Sequence, residues 1–200
     1  MEPRTRLYLT RHGQIEGHDR FPVYGRTDVD VTEVGVLQME HLSERLRLLD
    51  IQAIYSSTLK RTVIGAKAIA RHHNAALRAL PELCEMDFGD WEGLTLSEIR
   101  EGFSRDLERR EEDVVNFRPP GNGESVQLLA QRVMPCFEKI LERQKGRDFL
   151  IVGHGAVNRV ILCHALGLDL SMIFRLQQDF GCLNIVDFYP DSTQVILVNG

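Results

Sequence analysis

The chain has few cysteines and no paired cysteine motif. Cys84, Cys136, Cys163 and Cys182 stand far apart. Without a C-x-x-C pair a structural zinc site is not indicated, and a disulfide scaffold is uncommon at this size. Free thiols in a reducing compartment are the expectation. No segment holds the roughly 18–20 apolar residues that a membrane helix requires. Met1-Glu2-Pro3-Arg4 lacks the apolar stretch of a secretory signal. These absences point to a cytoplasmic protein with no membrane partner. A basic excess is lacking too: 24 Lys and Arg stand against 29 Asp and Glu, a formal charge of −5. That balance argues against nucleic acid as a partner, because a polyanion calls for a dominant basic surface. It leaves room for a small anionic substrate, since a few arginines in a cleft set their own local field. Internal repeats and low-complexity tracts are also missing.

What is present is ordinary globular material. The 200 residues are 43% hydrophobic and 26% charged, enough for one core or one core with a modest insertion. Leu7-Tyr8-Leu9-Thr10 reads as a buried strand delivering Arg11-His12-Gly13. Met39, Leu42, Leu46 and Leu49 recur at helical spacing behind Thr32, a plausible N-cap. Ala53-Ile54-Tyr55 gives a second strand ending at Ser56-Ser57. A helix follows with Leu59, Val63, Ala66 and Ala70 on one face. This β-α-β-α opening predicts a parallel sheet covered by helices. Residues 76–84 read as extended up to Glu85. The stretch 93–145 reads as mainly helical, with a capping-box match at Thr95 and Glu98. Pro119-Pro120-Gly121-Asn122-Gly123 breaks it. An apolar stripe follows at Val126, Leu129, Val133, Phe137 and Ile140, with Pro135 expected to kink its helix. Phe149 to Val152 is the most strand-like run and ends at Gly153-His154-Gly155, before a helix over about 156–166. Leu183–Phe188 and Val195–Val198 predict a terminal hairpin.

The polar residues cluster where these strands end. Three strand-like runs finish in Arg11-His12-Gly13, in Ser56-Ser57 with Arg61 one turn on, and in Gly153-His154-Gly155. In open α/β sheets the carboxyl ends of strands line the ligand crevice. Two arginines and two histidines meeting there suit a dianionic tetrahedral group: guanidinium forks pair with phosphate oxygens and keep their charge. The glycines that follow the histidines let backbone amides come close to an oxyanion. Neutral imidazole can act as the nucleophile near pH 7. Glu85 is the candidate acid for the leaving alcohol.

These motifs, in order, resemble the histidine phosphatase superfamily, the phosphoglycerate-mutase-like group. Leu9-Thr10-Arg11-His12-Gly13 looks like its RHG signature, and Ser56-Ser57-x-Leu59-x-Arg61-Thr62 like its second motif. Leu83-x-Glu85-x-x-x-Gly89-x-Trp91-Glu92-Gly93 looks like the third. Gly121-x-Gly123-Glu124-Ser125 and Val152-Gly153-His154-Gly155 complete the series. Gly25-x-x-Asp28 with Thr32-x-x-Gly35-x-x-Gln38 matches the segment after the RHG. The likeness covers about residues 6–165, nearest the small α-ribazole and broad-specificity phosphatase branch. It implies a three-layer α/β/α sandwich with a mostly parallel mixed sheet, a single domain over 1–200 and a helical lid at 93–145. It implies that His12 is phosphorylated, that Arg11, Arg61, His154, Gly155 and Ala156 hold the phosphoryl group, and that Glu85 is the proton donor. Gln14, His18 and Arg26 become the expected substrate contacts. No cofactor and no metal are expected. Gln14-Ile15 stands where many members carry Glu-Thr, His18 where Asn is frequent and Pro22 where Arg is frequent, so phosphoglycerate is not the expected substrate.

The expected activity is phosphomonoester hydrolysis on a small phosphorylated metabolite, by a monomer or homodimer. A cofactor-dependent phosphoglycerate mutase and a phosphoprotein phosphatase are the alternatives. A lone histidine at a strand end is more often structural, and only the combination with Arg11, Arg61 and Glu85 points to catalysis. His72 and His73 read as a solvated helix end, and His41 and His164 as surface or packing residues. Trp91 reads as a packing anchor, Cys84 as a bystander facing away from Glu85, and Arg105–Asp113 as a solvated helical face.

Overall fold

The computed structural model describes residues 4–20 and 23–200. Pro22 and the first three residues, on which some of the sequence expectations fall, lie outside that range. Six strands form one sheet: β1 (Thr5–Arg11), β2 (Ile51–Ser56), β3 (Ala76–Ala79), β4 (Asp148–Gly153), β5 (Leu183–Phe188) and β6 (Thr193–Leu197), in the order β3-β2-β4-β1-β5-β6. The pairs among β3, β2, β4 and β1 are parallel, while β5 and β6 are antiparallel. The parallel sheet and the terminal hairpin were both legible in the sequence.

Strand alternation sorts the core into two layers. Leu7, Leu9, Tyr55, Phe149 and Ile151 face one side, where α5 (Val126–Arg143) and α6 (Gly155–Leu166) pack. Tyr8, Ile54, Leu150 and Val152 face the other, under α1 (Glu33–Leu46) and α2 (Lys60–Ala70). Helix α1 starts where Thr32 accepts the Gly35 amide, as its sequence signal indicates. In α2 the buried face runs through Thr62, Gly65, Ala66 and Ile69, one step around from the stripe read as Leu59, Val63, Ala66 and Ala70.

Two expectations need correction. Strand β3 stops at Ala79, and Pro81–Leu83 form a 3-10 turn, so Glu85 is presented by a loop and does not end a strand. Proline fixes φ and withholds its amide donor, which favours that turn over a longer edge strand. Helix α5, expected in the lid, belongs to the sandwich. Val126, Leu129, Val133, Phe137 and Ile140 are all at most 2% exposed against the sheet, each burial being worth about 1.5–3 kcal/mol. The helix runs on through Pro135. What stands apart is the stretch with α3 (Leu96–Gly102) and α4 (Ser104–Glu112), around a small cluster of Trp91, Ile99 and Phe117. Trp91 is the packing anchor there, stacked on Phe117 at 5.4 Å. Thr95 and Glu98 form the capping box. Two amides close the base of this stretch, Glu124 onto Asp87 and Asp90 onto Pro120.

Candidate active site

The helices that follow β1 and β4 leave on opposite faces of the sheet, α1 on one side and α6 on the other. Between two such adjacent strands a crevice opens at their carboxyl ends. The parallel register pairs Arg11 with Gly153, so the next residues on each strand, His12 and His154, come side by side. Their ring centroids are 5.2 Å apart, at 64°, and the His12 amide donates to the Gly153 carbonyl at 3.1 Å. Residues more than a hundred positions apart thus meet through ladder geometry alone.

Both imidazoles are buried, 3% and 0% exposed. Burial, then the charges of Arg11 and Arg61, hold the His12 pKa well below its ordinary value. Burial is also the first cause for His154, followed by His12 and the two arginines. Both are therefore neutral near pH 7. His12 Nδ1 lies 2.8 Å from the Gly13 carbonyl, which can only accept, so Nδ1 carries the proton and Nε2 the lone pair. His154 Nε2 shares a hydrogen bond with Ser57 Oγ at 2.8 Å, leaving Nδ1 buried with no partner.

Arg11 donates through Nη1 to the Gln178 carbonyl and lies 4.0 Å from the centre of the Phe180 ring. Burial, opposed by the charge of Glu85, brings its pKa down to about 10, so it remains a cation at neutral pH. Arg61, on the first turn of α2, is 1% exposed and donates to the Gly25 and Thr27 carbonyls at 2.6 and 2.8 Å. The Nε atoms of both arginines are buried and unpartnered. Buried donors left unpaired cost stability, and a bound oxyanion would relieve that cost. Glu85 accepts from its neighbour's amide on Met86 at 2.9 Å and from the Ala156 amide at 3.1 Å. A methyl group on Gly155 would lie 3.6 Å from Glu85 Oε2, 3.8 Å from Arg11 Cζ and 3.1 Å from Arg159 Nη1. These three side chains therefore converge over the bare face of that glycine. Gly13 is bare for another reason: a side chain there would strike the Gly35 carbonyl, so it serves packing against α1 and not approach to an anion.

A cavity of about 490 Å³ opens at this point, lined by Arg11, His12, Glu85, Ile15, His18, Tyr24, Asp179 and Phe180. His18, an expected substrate contact, lines it. Gln14 does not: its side-chain oxygen accepts from Thr32 at 2.9 Å and its amide donates to Gln38, tying the loop to α1. Arg26 is exposed, absent from the lining, and its amide is held by Glu92. The Ala156 amide, expected on phosphate, is engaged by Glu85. Cys84 is buried, with Sγ 3.2 Å from Thr58 Oγ1. The described residues form no group of three or more His, Cys, Asp or Glu able to hold a metal ion.

Sequence reasoning missed the groups that hold the site in shape. Glu92 accepts from the amides of Gly25, Arg26, Thr27 and Phe88 and from the Thr27 hydroxyl, 2.6–3.2 Å. It thereby fixes the two carbonyls that hold Arg61. Burial raises the Glu92 pKa, but these hydrogen bonds together outweigh it and leave a net lowering. Arg132 on α5 pairs with both oxygens of Glu124 and donates to the carbonyls of Glu82, Cys84 and Glu85, so it latches the loop that presents Glu85. A buried amide cluster of Asn158, Gln178 and Asn184 sits behind Arg11. Glu92 and Glu124 lay inside quoted motifs, but their partners are mostly backbone atoms of distant loops, which leave no mark in a sequence. Arg159 carried no signal at all.

Comparison with known proteins places the chain in a family. Over 197 residues the chain is 35% identical to a bifunctional protein of Mycobacterium tuberculosis, which covers 98% of this chain but 54% of that protein; the chain spans about half the length of this relative. It is 31% identical over 179 residues to phosphoserine phosphatase 1 of Hydrogenobacter thermophilus, covering 90% of this chain and 82% of that protein. The crystal structure of α-ribazole phosphatase from Shigella flexneri superposes with a TM-score of 0.88 at 25% identity, covering 98% and 96% of the two chains. The family model for the histidine phosphatase superfamily, branch 1, matches residues 7–200, and the chain belongs to that family.

Proposed function

We propose that this chain hydrolyses the phosphomonoester of a small metabolite through a phosphohistidine on His12, without a metal ion. The observation that carries this reading is the fixed tautomer of His12: the Gly13 carbonyl takes Nδ1–H and leaves the Nε2 lone pair beside His154. In the first step that lone pair attacks phosphorus, the P–O bond to the alcohol breaks, and protonated Glu85 gives its proton to the leaving oxygen. Arg11, Arg61 and His154 supply donors as charge builds on the phosphoryl oxygens. In the second step water attacks phosphorus, its proton passes to the Glu85 carboxylate, and the P–N bond breaks to restore the imidazole. The relatives named phosphatases support the same reaction class. In this reading the α3–α4 stretch, paired through Leu94 and Gly93 with Val23 beside the cavity-lining Tyr24, flanks the leaving group.

The test is phosphate release from alkyl phosphates and from p-nitrophenyl phosphate. His12→Ala abolishes both. Glu85→Gln slows alkyl phosphates far more, because nitrophenolate leaves without a proton. Equal loss on both substrates removes Glu85 from the acid role. Turnover that survives His12→Ala ends the phosphohistidine reading.

A further inference from the structure

We propose that Ser57 is a positioning residue: its hydroxyl fixes the tautomer of His154, so that this imidazole meets the phosphoryl group with an N–H and cannot compete with His12 as the nucleophile. This rests on the phosphatase reading and deepens it, from which groups meet to which of two neighbouring histidines does what.

The hydrogen-bond partners of the two rings decide between them. Ser57 Oγ has three polar neighbours: the Leu59 amide at 3.1 Å, Thr62 Oγ1 at 2.7 Å and His154 Nε2 at 2.8 Å. A hydroxyl holds one hydrogen and two lone pairs. The Leu59 amide can only donate, so it takes one lone pair. The Thr62 hydroxyl must place its own hydrogen. The Leu59 carbonyl, 2.9 Å from it, already accepts the amides of Thr62 and Val63 at 3.1 and 3.2 Å. The Ser57 carbonyl is farther, at 3.3 Å, and already accepts the Ser56 hydroxyl at 2.9 Å. Ser57 Oγ is the nearer and less used acceptor, so Thr62 donates there and fills the second lone pair. The Ser57 hydrogen then goes to His154 Nε2.

A neutral ring whose Nε2 accepts carries its hydrogen on Nδ1. That Nδ1 is buried without a partner, as are the Nε atoms of Arg11 and Arg61. Orphaned buried donors are rare because each forfeits its hydration, and these three, beside one pair of rings, suit a ligand rich in acceptor oxygens. His12 is the same tautomer tied the other way round: the Gly13 carbonyl takes Nδ1–H and Nε2 stays free. The two rings, 5.2 Å apart, therefore offer a lone pair and an N–H. Ser57, Thr62 and His154 are all 0% exposed, so bulk water cannot take the place of the serine hydroxyl.

Long-range proton–nitrogen spectra of the chain carrying labelled histidine, at pH 7.5, read each tautomer directly, and the His154→Gln spectrum assigns the His154 signals. In the wild type Nδ1 of His154 is expected to be the protonated nitrogen. Thr62→Val should leave it so, because Ser57 still has its hydrogen to give and Nε2 to receive it. Ser57→Ala should turn the His154 signals into a mixture of both tautomers. It should also lower kcat/KM on p-nitrophenyl phosphate, and affinity for vanadate, roughly tenfold, as one transition-state donor is lost from part of the molecules. A protonated Nε2 in the wild type, a changed tautomer in Thr62→Val, or an unchanged tautomer or kcat/KM in Ser57→Ala overturns the assignment. The first two outcomes decide it even where Ser57→Ala does not fold. In each of these cases phosphate release that depends on His12 leaves the phosphatase reading standing. A wild-type chain that releases no phosphate overturns both.

Discussion

Acidification should expose the two buried imidazoles as a stability liability. In the folded chain burial and the neighbouring guanidiniums keep His12 and His154 neutral, with pKa values well below 6.5. In the unfolded chain each titrates at about 6.5. The unfolded state therefore binds more protons as pH falls, and stability falls with it: the contribution is whole above pH 6.5 and is lost progressively below. At pH 5.5 an unfolded histidine gains about 1.4 kcal/mol from protonation, and at pH 7.5 almost nothing, so two imidazoles that stay neutral when folded cost about 2.7 kcal/mol across that window. Surface histidines with equal affinity in both states cancel. Urea unfolding of the wild type and of the His12→Gln/His154→Gln double variant, at pH 7.5 and 5.5, isolates the effect. The drop between the two pH values should be smaller in the double variant by about 2.7 kcal/mol. Equal drops would mean that the imidazoles take up protons in the folded state, and would refute the neutral, lone-pair-bearing His12.

Glu92→Gln puts an amide NH₂ among donors that now share a carboxylate; it should cost about 3 kcal/mol in urea unfolding and raise KM through the loosened Arg61, and an unchanged KM would detach Glu92 from the phosphoryl seat. Arg132→Ala frees the loop of Glu85; kcat should fall roughly 10–100-fold with a smaller change in KM, since misplacement of a catalytic group acts on the chemical step, and steady-state kinetics on an alkyl phosphate checks it. Gly13→Ala should unfold the chain or lower its melting temperature sharply by driving a methyl into the Gly35 carbonyl. Gly155→Ala should fold, because its nearest neighbour is the movable end of Arg159, yet lose activity as the methyl enters the seat. A Gly155→Ala enzyme with full turnover would move the phosphoryl site elsewhere.

The sequence by itself determined the alternation of strands and helices, because that pattern is local: β1, β2 and β4 are apolar runs that end in polar groups, and α1 and α3 carry their own capping residues. It also singled out the side chains proposed to carry the chemistry, since Arg11, His12, Arg61, Glu85 and His154 sit in motifs with a recognisable order. Tertiary structure alone decided that β4 lies between β1 and β2 and pairs Arg11 with Gly153, the register that seats one imidazole against the other. It decided as well that α5 covers the sheet, that Glu85 rides on a loop latched by Arg132, and that Gln14 and Arg26 turn away from the cavity while Asp179 and Phe180 turn into it. Those outcomes depend on contacts between segments far apart in the chain, chiefly side chains against backbone carbonyls and amides, and such partners have no residue identity for a sequence to record.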